Sequence, residues 1–244
     1  MNYYIFIKMR EYYLDIPSII IGIIIYIIIS KLTISYYLNN KEIILIFFLI
    51  EIFGLIYDGA IILLGFLMSD SILIFFNRLR FILHGILVPL LVLFSGYAIH
   101  AKGKYFYIHL GILIVLSIIG MIAGIITKLK IVEDVVLKRC TFDEDMTSFT
   151  MISFNVMNIG TVLYMIVIGV LLLIRRKEYF FFLSGLFMFI FSAIGPAIRK
   201  PELNYLLSMY GEVLMIIFLY LFFKNNGEEN LNLDLLEVKS EKII

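Results

Sequence analysis

The sequence predicts an all-α membrane protein, a seven-transmembrane-helix bundle with short loops, on three observations. The chain of 244 residues is 62% apolar and only 16% charged, with a mean hydropathy of +1.04, whereas soluble domains are about half apolar and about a quarter charged. Its apolar residues fall into seven runs of the length that crosses about 30 Å of hydrocarbon at about 1.5 Å per residue. These runs lack the strict apolar and polar alternation of lumen-facing barrel strands.

The runs lie near residues 16–31, 42–68, 72–99, 105–127, 150–174, 179–198 and 203–223. The first follows Lys8 and Arg10 but has no small-residue cleavage pattern and runs straight into Lys31, so it is expected to be a retained anchor rather than a signal peptide. The loops are short apart from Lys128 to Ser148. That stretch sets Glu133, Asp134, Asp143, Glu144 and Asp145 against Lys128, Lys130, Lys138 and Arg139, which reads as a solvated connector and not a domain. Residues 1–224 therefore form a single transmembrane domain, and 225–244 a short polar tail expected to be frayed.

An odd number of spans places the termini on opposite sides, with the connector on the side of the N-terminus. That side collects eight Lys and Arg residues, from Lys8 to Lys200, and the other collects ten, from Lys31 to Lys242. Half of the first group is diluted by acids in the longest loop, so the positive-inside rule puts the C-terminus in the cytoplasm of a cell bounded by this plasma membrane.

Composition also excludes functions. A net charge of +1 provides no basic field to attract nucleic acid. The single Cys140 rules out an internal disulfide or a cysteine metal cluster. No cofactor is expected: the seventh run has no lysine for a retinal Schiff base, and His84, His100 and His109 are placed unsuitably for paired haem ligation. Neither HExxH nor GxSxG occurs, so no catalytic residue can be named and no metal is expected.

What remains informative are polar groups that hydrocarbon should expel. A central Asp, Arg or Lys costs roughly 2.5 to 3.5 kcal/mol on insertion, so such residues face the bundle interior and find partners. In the second run Glu51, Gly54 and Asp58 recur at helical spacing, and in the third Asn77, Arg80 and His84 do the same, while Arg78 points elsewhere and is expected to snorkel. The turn around Asp70 is very short. Asp58 lies twelve residues before it and Arg80 ten after, so the two meet at one depth and should form an ion pair. Glu51 and His84 are mismatched by about 7 Å along the axis and need tilt or a water to meet. The fifth run adds Asn155 and Asn158, and the seventh adds Ser208 and Glu212. A stripe of Gly185, Met188, Ser192 and Gly195 precedes Pro196, expected to loosen the end of the sixth run. Ser117, Gly120 and Gly124 form a packing seam in the fourth run.

The predicted site is a polar pocket between runs 2, 3, 5 and 7 comprising Glu51, Asp58, Asn77, Arg80, His84, Asn155, Asn158 and Glu212. Three acids against one arginine leave it negative when all are ionised, which low dielectric opposes. A proton, cation or cationic ligand is the expected remedy. Transport or binding of a small solute or lipid fits best. An intramembrane enzyme acting on lipid, with Arg80 holding a phosphate, and a membrane sensor or assembly factor are the alternatives. The bilayer is the partner in every case.

Overall fold

The apolar runs become helices because, in hydrocarbon, each backbone N–H and C=O must be satisfied within its own segment. The computed structural model describes residues 15–133, 137–143, 145, 147–198 and 201–241. Its helices are α1 (Asp15–Asn40), α2 (Ile43–Leu64), α3 (Asp70–Leu87), α4 (Leu90–Ala98), α5 (Lys104–Ile126), α6 (Ser148–Asn155), α7 (Thr161–Arg176), α8 (Phe180–Ile198) and α9 (Pro201–Glu241). Helices α3 and α4 form one rod interrupted at Val88 and Pro89, where the proline has no N–H to give the preceding turn. Helices α6 and α7 form another, joined by a π-helical turn at Val156–Gly160. The result is seven rods. Six segments among the described residues are long and apolar enough to cross a membrane, and the apolar stretch Phe180–Ser192 belongs to the remaining rod. The chain is a multi-span integral membrane protein.

Each rod packs on the next: α1 on α2, α2 on α3, α3 on α5, α5 on α6, α7 on α8, α8 on α9, and α9 back on α1. That closes a ring. Helix α4 turns into its centre, where every residue except Tyr97 is buried, and touches α2, α5 and α7. On the side of the ring where α2 begins and α5 begins, the interior is a solid apolar core. Phe48, Phe94 and Phe223 meet there with ring centroids 5.1 to 6.1 Å apart. On the other side the core divides. Ile19, Ile62, Leu206 and Met209 form one cluster between α1, α2 and α9, and Phe81, Ala123, Phe154 and Met157 form another between α3, α5 and the fifth rod.

The seam in α5 is where the sequence places it. Ser117 donates to the Ile86 carbonyl at 3.1 Å, Gly120 lies against the backbone of Gly85, and Gly124 against that of Ile82. With lipid outside offering no hydrophobic drive, such close backbone approach provides the dispersion contact that holds two helices together.

Three expectations are corrected. The first helix continues past Lys31, whose side chain is exposed, and ends only at Asn40. A lysine near a span end can lift its ammonium towards water without breaking the helix. The tail is helical rather than frayed, since the backbone of α9 runs to Glu241. The backbone of α8 is helical to Ile198, where the sixth run was expected to end. Arg78 does more than snorkel: its Nη1 donates to the carbonyls of Ile125, at 2.7 Å, and Thr127, capping the C-terminal end of α5. A cation there satisfies orphan carbonyls and opposes the negative end of the helix dipole. Replacing Arg78 with Gln should therefore lower thermal stability in micelles by about 1 kcal/mol, and an unchanged unfolding midpoint would remove Arg78 from this role.

The connector is an antiparallel hairpin, β1 (Leu129–Glu133) and β2 (Lys138–Phe142), with Ile131 opposite Cys140. It lies across the divided end of the bundle. Leu137 completes the α1, α2 and α9 cluster, and the Phe142 ring sits 4.6 Å from Phe81 and 5.0 Å from Phe154 in the other. Gly65, just beyond α2, abuts the Lys138 carbonyl, and Lys138 Nζ pairs with Asp70 at 2.6 Å. The hydrogen bond to Asp70 holds the Lys138 ammonium above its usual pKa, while burial pushes the Cys140 thiol up.

Candidate functional site

The polar cluster lies between the two apolar clusters, beneath the hairpin. Its centre is the expected ion pair, Arg80 Nε donating to Asp58 Oδ1, with side chains 14% and 18% exposed. The short turn before Asp70 makes α2 and α3 an antiparallel hairpin, and helical spacing does the rest. Arg80 Nη1 also donates to Asn77 Oδ1 at 2.9 Å, and Asn77, 1% exposed, donates from Nδ2 to the Leu73 carbonyl at 2.9 Å. Asn77 thus ties the guanidinium to the backbone of its own helix. Tyr57, beside Asp58, donates to the Phe76 carbonyl at 3.0 Å and pins α2 to α3 at this level. Sequence reasoning overlooked Tyr57, although its place next to an interior acid was a usable signal.

One turn beyond Arg80, His84 Nε2 lies 3.2 Å from Asn158 Oδ1. Asn158 is inside the π-helical turn, and such turns, which insert one residue, often occur at functional sites because they re-aim a side chain. Asn155, three residues earlier, is exposed, as Asn158 is, but makes no hydrogen bond to the cluster among the described residues. It is the one predicted site residue that the structure leaves outside.

From α9, Ser208 donates to Glu212 Oε1 at 3.5 Å. Asp58, Arg80 and Glu51 all lie within electrostatic range of Glu212, and Asp58 and Arg80 within range of His84. Glu51 sits seven residues before Asp58 on α2, about 10 Å further along the axis towards the solid core. It is 4% exposed and its Oε2 has no hydrogen-bond partner. His84 and Glu212, by contrast, are only half-buried. The cluster thus runs from the half-buried His84 and Glu212 to the buried Glu51.

Charge decides what it can do. Arg80 is engaged by Asp58 and Asn77, whereas neither Glu51 nor Glu212 has a salt-bridge partner among the described residues. A guanidinium already paired with a carboxylate is poorly placed to seize a phosphate, which weakens the lipid-enzyme alternative. Among the described residues no three His, Cys, Asp or Glu side chains come together to hold a metal ion. His109 stands apart: its Nδ1 lies 2.7 Å from the Tyr105 carbonyl and its Nε2 2.8 Å from the Tyr164 hydroxyl, the bonding of a satisfied core histidine. The chain matches no protein-family model and no curated protein.

Proposed function

We propose that this protein binds a small solute bearing an ammonium or similar cationic group at the polar cluster between α2, α3, the π-helical turn and α9, and carries it across the plasma membrane. The observation that supports this is the pair of interior carboxylates, Glu212 and Glu51, that form no ion pair with any cation among the described residues. A buried charge must be paired or neutralised, and Glu212, half-buried beside Ser208, is the one a ligand can reach. Asp58 and Arg80 are the fixed wall, and His84, held by Asn158, is the adjustable one. The C-terminus faces the cytoplasm in this reading, on the excess of Lys and Arg at that side.

The test is a thermal-shift series on purified protein with small primary and quaternary ammonium compounds, followed by flux measurements in liposomes. At least one compound should stabilise the protein saturably. Glu212→Gln should fold almost as well as the parent yet lose that response by ten-fold or more in apparent affinity, about 1.4 kcal/mol. A panel without effect, or a Gln variant that responds as the parent does, defeats the proposal.

A further inference from the structure

Three buried oxygens, two on α1 and one on α2, lack partners. Ser30 and Thr33 of α1 are 7% and 0% exposed, and neither hydroxyl makes a hydrogen bond; Glu51 Oε2 on α2 is in the same state. Buried polar side-chain atoms nearly always have a partner, so three together require one.

Helix geometry brings them together. Gly59 of α2 packs against Ile23 and Ile19 of α1, and the two helices run antiparallel. Eight residues from Gly59 towards the bend between them, Glu51 comes level with residues 27–31 of α1. Ser30 lies within that window and Thr33 within one further turn. The facing is equally constrained. On α1, Gly22 looks at Met209 and Val213 of α9, and Ile23 looks at α2; at about 100° per residue, Ser30 and Thr33 both fall in the arc between those directions. On α2, Gly54 looks at Leu87 of α3 and Gly59 at α1, and Glu51 falls between them. Both arcs open onto the bundle axis.

We infer that Glu51, Ser30 and Thr33 form a binding site for a monovalent metal cation such as Na⁺. The donors are all oxygens, the choice of hard cations rather than of soft metals. They carry one carboxylate charge, which matches a single positive charge and leaves a divalent ion undercompensated in low dielectric. This site goes beyond the solute site, since it uses α1 and Glu51 instead of Glu212.

The experiment follows thermal unfolding of the full chain in micelles by tyrosine fluorescence, the chain having 16 tyrosines and no tryptophan. Na⁺ is exchanged for Cs⁺, a non-ammonium cation too large for the same oxygens, at constant ionic strength. Expected is a saturable rise of the unfolding midpoint with Na⁺ that disappears in the Ser30→Ala, Thr33→Ala double variant and in Glu51→Gln. The Gln variant keeps size and hydrogen-bonding capacity, so it reports on the site even where the double variant folds poorly. Equal midpoints in Na⁺ and Cs⁺, or a sodium response that persists in Glu51→Gln, overturn the inference. Ammonium binding that survives without a sodium response sinks the ion site alone and leaves the solute site standing.

Discussion

Changing Asp58 to Asn should destabilise the protein by roughly 2–4 kcal/mol, because it leaves the Arg80 guanidinium in low dielectric without its counter-charge. The partial exposure of both side chains keeps the expected loss below that of a fully buried pair. Asn77 alone cannot replace a carboxylate. Adding Arg80→Gln to Asp58→Asn should recover part of the loss, since two neutral amides can bond where one orphaned charge could not. The measurement is a double-mutant cycle on unfolding midpoints in micelles, with a coupling of about 1 kcal/mol or more expected. Strictly additive losses would mean that the two residues do not act as a pair.

A comparably large effect is expected at Gly120. A Cβ added there would run into the carbonyl of Gly85, and one added at Gly85 into the backbone of Gly120, so neither helix can yield by turning a side chain. Gly120→Val should separate α3 from α5 and cost about 3 kcal/mol or more, at the upper end for overpacked interiors. Because Arg80 and His84 ride on α3, the polar cluster should be lost with it. Gly111, on the same helix, has nothing within 4 Å of an added Cβ and provides the control. Gly111→Ala should be neutral or mildly stabilising through helix propensity, by about 1 kcal/mol at most. Equal yields of folded Gly120→Val and Gly111→Ala protein would refute the seam.

These cases also show what could be read from the letters. Spans were legible because hydrocarbon thickness dictates run length, and the Asp58–Arg80 pair because the tight turn at Asp70 equates depth with sequence distance. The seam was legible from small residues at helical spacing. Other features depend on information that no local pattern holds. The end of α1 was hidden because Lys31 reads as a boundary while its long stem lets the helix continue. Asn155 and Asn158 looked equivalent because nothing in the sequence marks a π-helical turn. The role of Arg78 depends on α5, nearly fifty residues away, whose last carbonyls happen to arrive beside it. The hairpin was obscured by its charges, and Leu129 and Ile131 about Lys130 were too short an alternation to mark a strand.

The hairpin also means that two different solvents hold this molecule together. Among the rods, lipid tails are as apolar as the side chains they would replace, so adhesion comes from close packing and from polar contacts such as Arg80 with Asp58. Leu137 and Phe142 instead tuck in from the aqueous end, where withdrawing each from water is worth roughly 1.5–3 kcal/mol. Their grip is hydrophobic in the strict sense and weakens with cooling and with urea. The cover over the polar cluster and the walls around it therefore answer to separate physical controls, and conditions that loosen one need not disturb the other.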